Sequence, residues 1–338
     1  MTLRPPRQTI SRLAQISLPF GTLSITIFVL GLAIRLALVW LWQLHYRPED
    51  VGEWERIAKN LAETGRFADP YGAPTGPTAH SAPAYPFLLS LAFRAGGYDS
   101  DGRLIAIVLN ATLASLMYAC LPVLAKLSGL PTAVGLLAGL IGALVPMRVL
   151  TELMLAAGGS QLRGLTWIGL QILTLAWFRD HSPSATRALV YGVACGVAFH
   201  ADPGLLPVCL LWLGLLTWLR RLRLKTLAAA CLGASLALLP WTLRNRVQLG
   251  GWVFVRSNFG LELALSNNDR AHPILAYEAF PAGSPQFRHW MTLHPGGNPD
   301  HLQMVRQLGE VAYNRRRLGE AVDWIQRNPE RFLLLSLQ

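Results

Sequence analysis

Seven apolar runs govern what this chain can fold into. They fall near residues 21–43, 103–125, 131–148, 153–178, 186–200, 203–219 and 226–241. Several are shorter than the roughly 20 residues that cross hydrocarbon unaided. A backbone in lipid has to satisfy its own N–H and C=O groups, so the runs predict helices. The expected fold class is an all-α polytopic membrane protein of about seven spans. Composition agrees: 52% hydrophobic, 14% charged and eleven tryptophans in 338 residues are more than one soluble core needs.

A net charge of +11 raises the question of a nucleic-acid partner. The Lys and Arg residues lie in short clusters between apolar runs, not on one polar face, so no nucleic acid is expected. Arg4, Arg7 and Arg12 precede the first run, Arg179 and Arg187 bracket the turn after the fourth, and Arg220, Arg221, Arg223 and Lys225 follow the sixth. Alternating crossings put all three groups on one side, which the positive-inside rule makes cytoplasmic. The localisation expected is a cytoplasmic (inner) membrane, multi-pass, with residues 1–20 inside. The core spans 21–242 and includes an extracytoplasmic loop at 44–102; an extracytoplasmic helical region covers 243–330, and a further apolar segment begins at 331–338. The first run is as long as a bilayer span, with no clear cleavage site after it, so it reads as a retained anchor. Cys120, Cys195, Cys209 and Cys231 all sit in apolar runs without ligand spacing and read as small buried hydrophobes.

The densest carboxylate cluster, "RPEDVGEWERIAKNLAETGRF" at 47–67, follows the first apolar run directly. Trp54, Ile57, Ala58 and Leu61 form a stripe at i, i+3, i+4 and i+7, which predicts an amphipathic helix on the outer membrane surface. Gly65 marks its end, and the Pro/Gly-rich "ADPYGAPTGPTAHSAPAYP" cannot continue it. The apolar "AYPFLLSLAFRAGG" is too short to span and reads as interfacial or re-entrant. Glu53 borders the stripe, where partial desolvation suits a base or acceptor; Glu55, Lys59 and Glu63 are expected to point away. Asp50 and Glu53 also fit the N-cap and capping-box positions, a purely structural reading.

Other polar residues collect on the same outer side. Arg244, Asn245 and Arg246 follow a span end, where cations suit a phosphate headgroup or simply snorkel to lipid. Arg256, Asn258, Asn267 and Asn268 add donors that fit sugar hydroxyls or ordinary turns. His80 and Glu152 are secondary candidates. Arg35 and Arg163, inside apolar runs, have to face protein or a cavity. His200 and Asp202 in "HADPG" read as a capped turn rather than as metal ligands. No phosphate-cradling glycine loop, zinc spacing or nucleophile elbow is present.

Three stretches together carry a resemblance. "GEWERIAKNLAETGRFADPYGAPTGPTAHSAPAYPFLLSLAFRAGGY" resembles the first extracytoplasmic loop of the C-type integral-membrane glycosyltransferases, in the family-39-like branch of protein O-mannosyltransferases and aminoarabinose transferases. "PWTLRNRVQLGGWVFVRSNFGLELALSNN" is similar to the segment leaving the last shared span. "GEVAYNRRRLGEAVDWIQRNPERFLLL" is similar to the helical return to the membrane. The resemblance implies a C-type glycosyltransferase fold with a large first extracytoplasmic loop carrying surface helices. It implies inverting transfer of a sugar from a polyprenyl-phosphate donor to a lipid or protein acceptor, with a first-loop carboxylate as base. The matching position is Glu53; Gly52 stands where relatives carry Asp, so Asp50 stays open as the base. The donor-phosphate and sugar residues implied are Arg244, Asn245, Arg246, Arg256, Asn267 and Asn268. No cofactor is called for, and a divalent metal stays open. Relatives continue into further spans after "NPERFLLLSLQ", so a fragment or a reduced member of the class is expected.

Two other functions remain in view: a transporter or flippase for a lipid-linked substrate, and a catalytically inactive membrane scaffold. Inverted repeats with broken helices, the mark of many transporters, are not evident in the sequence. The missing Asp at position 52 favours the scaffold.

Overall fold

The computed structural model describes residues 20–42, 52–98, 100–144, 159–178, 184–218, 223–272 and 285–337. In chain order the helices are α1 (Phe20–Trp42), α2 (Glu53–Thr64), α3 (Ala84–Gly96), α4 (Ser100–Ala119), α5 (Leu121–Leu127), α6 (Thr132–Leu144), α7 (Ser160–Phe178) and α8 (Ala185–Ala201). They continue with α9 (Leu205–Trp218), α10 (Leu224–Leu249), α11 (Phe259–Ser266), α12 (Pro285–Leu293), α13 (Pro299–Leu308), α14 (Glu310–Arg327) and α15 (Pro329–Leu337). Each of the seven apolar runs is mainly helical where described, and among the described residues there is no strand. Gly21–Leu41, Asp101–Leu127 and Leu224–Leu249 are long and apolar enough to cross a membrane; Thr132–Leu144 and Leu205–Leu215 are shorter apolar helices. Ile25, Val29, Trp40 and Leu41 of α1 face outward, an arrangement that lipid tolerates and water does not.

The chain divides into two compact units. The first comprises 1–52 and 92–237, the second 53–91 and 238–338. In the first unit α1 packs on α4 and α6, α7 on α4, and α8 on α7. Ile27, Tyr118, Ala119 and Ala143 form a buried cluster there. Arg35 is fully buried, as its place in an apolar run requires. It donates to Gly31 O at 3.1 Å and Gly142 O at 3.4 Å, with its guanidinium 5.3 Å from the centre of the Tyr118 ring. Arg163 pairs with Asp202 at 2.9 Å, and Asp202 also accepts from Gly204 N. His200 Nδ1 lies 2.8 Å from Gly196 O. The "HADPG" segment is thus a capped turn, as its residue types suggest.

In the second unit the loop after α2 folds back over that helix. Arg56 donates to Pro70 O at 3.4 Å and Asn60 to Ala68 O at 3.0 Å. Asp69, in the left-handed region (φ 57), closes the loop tip by accepting from Thr75 N and Gly76 N at 2.7 and 2.8 Å. Ile57 and Ala58 are fully buried, in line with the expected stripe. Glu55 departs from expectation: only 2% of it is exposed. Periodicity marks the apolar face alone and takes the rest of the helix to be solvated; Glu55 in the first turn is enclosed, while Lys59 and Glu63 stay accessible as expected. Tyr71, Leu261, Leu265, Val305 and Tyr313 form this unit's core, with Trp290, Leu293 and Leu302 against it. Leu261 N donates to Asn314 Oδ1 at 3.2 Å, holding α11 on α14.

Helix packing in the first unit depends on small residues. A Cβ on Gly192 of α8 would come 1.9 Å from Ala230 O of α10, and one on Gly233 of α10 would come 2.1 Å from Leu189 O. The two backbones approach so closely because neither side chain intervenes, the small-residue packing that membrane helices use in place of a hydrophobic driving force. Gly192→Leu is expected to separate the helices and lower the thermal unfolding midpoint of detergent-purified protein by several degrees or more. Gly169→Ala, where the added methyl meets nothing within 4 Å, serves as the neutral control.

Candidate functional site

Glu53 is the first residue of α2, and its carboxylate meets two imidazoles. His80 Nε2 lies 2.6 Å from Oε2 and His294 Nε2 lies 3.1 Å from Oε1. The first contact is an aligned hydrogen bond. The second is close in distance but off the hydrogen-bonding direction, so Oε1 is buried without a hydrogen bond. The side chains of His80 and His294 are 1% and 7% exposed, that of Glu53 22%.

Each histidine is held from behind. Tyr71 Oη is 3.0 Å from His80 Nδ1, and both side chains are buried. His294 stands at the end of α12, where Pro295 stops the helix; Trp290, one turn earlier, stacks on its ring at 4.6 Å and 14°. Gly296 N donates to His294 Nδ1 at 3.1 Å. Asn298 then caps α13 by accepting from Asp300 N, with Pro299 at the first helical position.

The loop carrying His80 is fixed by a second carboxylate. Glu310, at the start of α14, accepts from Thr78 Oγ1, from Ala79 N at 2.7 Å and from Ser257 Oγ at 2.6 Å. Thr78 Oγ1 in turn accepts from His80 N at 2.9 Å. Arg244 donates to Thr78 O and Phe67 O at 2.6 and 2.8 Å, and Arg256 Nε donates to His80 O at 3.1 Å. Three side chains from distant parts of the sequence, Glu310, Arg244 and Arg256, therefore join Thr78 in setting the position of one imidazole.

Burial alone would raise the Glu53 carboxyl, but His80 and His294 outweigh it and hold the group well below the usual carboxylate range. Burial likewise opposes a charge on His80, yet the Glu53 carboxylate beside it leaves that imidazole above its ordinary value. Burial, with Glu310 and Glu53 nearby, pushes the Tyr71 phenol well up, so it stays protonated. The outcome is a carboxylate favoured in its ionised form between two imidazoles, with a neutral phenol behind one of them. Two nitrogens and a carboxylate oxygen, all within 4.8 Å of one another, could also hold a metal ion.

Among the candidates named from sequence, Glu53, His80, Arg244 and Arg256 converge on residues 78–80. Asn245 is fully buried: it accepts from Arg244 and donates to Val253 O at 3.0 Å. Arg246 is exposed, donates to Gly250 O and lies 5.7 Å from the centre of the Trp252 ring. Asn267 and Asn268 end α11, their amide nitrogens donating to Leu263 O, Ala264 O and Leu265 O. Asp50 and Glu152 lie outside the described residues. Sequence reasoning missed His294, Tyr71 and Glu310. The one available signal was a histidine next to Pro295 and two glycines at the end of a short aromatic segment.

Beside this cluster, a cavity of about 650 Å³ is lined by Arg66, Phe67, Asp69, Trp241, Arg244 and Gln248, among others. Arg244 lies over the rings of Trp241 and Phe67, 4.8 and 5.6 Å from their centres. No family model matches the chain, and no curated protein or solved structure does either.

Glu310→Ala removes the common acceptor of three donors, two of them side-chain hydroxyls and one a backbone amide. It is expected to lower stability by about 2–4 kcal/mol in detergent, read as a fall in the unfolding midpoint. Glu330→Ala on exposed α15 should change it by less than about 0.5 kcal/mol.

Proposed function

We propose that this chain is a membrane-embedded glycosyltransferase, moving a sugar from a polyprenyl-phosphate carrier to an acceptor hydroxyl on the extracytoplasmic side of the cytoplasmic membrane. The observation that carries the reading is Glu53, the position singled out by resemblance, whose ionised Oε1 has only the poorly aligned contact with His294 and no aligned hydrogen bond. In the displacement the acceptor oxygen forms its bond to the anomeric carbon as the carbon–oxygen bond to the phosphate breaks. The acceptor's proton passes to Glu53, and polyprenyl phosphate leaves with the bonding pair. A carboxylate held this far down is a weak base. It suits a transition state in which bond breaking leads and the attacking hydroxyl becomes acidic late.

The neighbouring cavity supports the donor side of the reading. Arg66, Arg244 and Gln248 offer cationic and amide donors beside the aromatic faces of Phe67 and Trp241, a combination suited to a phosphate linked to a sugar ring. Arg244 already donates to two backbone carbonyls, so it shapes this wall as well as charging it. One observation favours the inactive-scaffold reading instead: a carboxylate flanked by two imidazoles makes a stable clamp on its own.

Transfer of radiolabelled sugar from polyprenyl-phosphate donors to membrane acceptors separates the two readings. Glu53→Gln, with size kept and proton affinity removed, is expected to reduce turnover by roughly 10²-fold or more. Glu63→Gln, on an exposed position of the same helix, should leave it unchanged. No transfer by wild-type protein across a panel of such donors would favour the scaffold.

A further inference from the structure

We infer that Glu53, His80 and His294 form a binding site for one divalent transition-metal ion, with Zn²⁺ the best match. The argument rests on donor type, spacing and support. Two imidazole nitrogens and one carboxylate oxygen are the ligand set of an open tetrahedral zinc site, which leaves a fourth position for water or substrate oxygen. Mg²⁺ and Ca²⁺ prefer all-oxygen shells and fit it poorly. The three ligand atoms lie within 4.8 Å of one another, and all three residues are buried or half-buried.

The second observation is the state of Glu53 Oε1. It is buried and 3.1 Å from His294 Nε2, but the two are not aligned as a hydrogen bond. A cation between them would give both atoms a well-directed partner. The third is the outer support. Tyr71 Oη at His80 Nδ1 is the kind of partner that fixes a ligating ring and sets which nitrogen faces the metal. Trp290 stacked on His294 restrains the second ring.

Binding carries a defined proton movement. The Gly296 amide points at His294 Nδ1, which leaves that ring's proton on Nε2 in the metal-free protein, out of line with Glu53 Oε1. A cation at Nε2 requires the lone pair there, so the proton moves to Nδ1 and the Gly296 amide turns away. His80 meets the metal through Nε2 and keeps a proton on Nδ1, donated to Tyr71 Oη.

Metal content is a property separate from sugar transfer. Binding without transfer would leave this inference standing and remove the glycosyltransferase reading; transfer unaffected by complete metal removal would make the ion structural.

The test uses full-length protein purified without a polyhistidine tag, stripped with chelator and titrated with ZnCl₂ and CoCl₂. The expected result is one metal per chain, a visible absorption band typical of tetrahedral Co²⁺, and a raised unfolding midpoint of the wild-type protein. Glu53→Gln and His294→Gln should each weaken binding by at least about 100-fold, and Tyr71→Phe by about 10-fold. Because ligand variants can misfold, the wild-type titration decides alone: absence of stoichiometric binding at micromolar Zn²⁺ overturns the inference. So does wild-type affinity in a folded Glu53→Gln protein.

Discussion

The buried carboxylate of Glu310 is the interaction on which the second unit depends. A carboxyl group with 8% of its residue exposed needs hydrogen-bond partners or it destabilises the fold. Its partners come from Thr78, Ala79 and Ser257, so satisfying one side chain draws the first loop and the segment after α10 onto the start of α14. That same arrangement fixes the backbone of 78–80, and with it His80. Glu53 follows, because His80 supplies its shortest contact. The functional geometry is therefore a consequence of where one structural carboxylate finds its donors.

Much of this architecture was legible in the sequence, for physical reasons that also explain what was not. Apolar runs of near-bilayer length can only be helices in lipid, so α1, α4 and α10 follow from composition and length. The stripe of Ile57 and Ala58 was readable because a helix buries its apolar residues at a fixed period. Glu55 was misread because period says nothing about which polar positions of a helix tertiary packing encloses. Glu53 and His80 could be named as candidates singly, but their pairing could not be derived: they lie 27 positions apart, with the whole of α2 and then a Pro/Gly-rich loop between them. His294 was invisible for a stronger reason. Nothing local distinguishes a histidine at a helix end from a ligand, and its partner lies in the first loop. Arg244 was expected at a phosphate, and a large part of its donor capacity goes to backbone carbonyls that close the same loop.

Charge placement separates the two units chemically. In the first, Arg35 and Arg163 are neutralised locally by carbonyls and by Asp202, and close helix packing at Gly192 and Gly233 does the rest. In the second, charged groups are gathered instead of dispersed: Glu53, Glu310, Arg244 and Arg256 all touch or flank three consecutive residues. Concentrating ionised groups in a buried region is what catalytic and metal sites require and what structural packing alone avoids. Proton affinity is the variable that divides the possible roles of Glu53. As a base it works only if its partners let the proton arrive; as a ligand it works because they keep the proton away.

The central claim is that Glu53 in the first loop and His294, far along the chain, belong to one energetic unit. A double-mutant cycle with Glu53→Gln and His294→Gln, read by unfolding of chelator-treated protein, measures this directly. The account predicts an interaction energy of about 1–3 kcal/mol between the two substitutions. Effects that simply add, within about 0.5 kcal/mol, would contradict it.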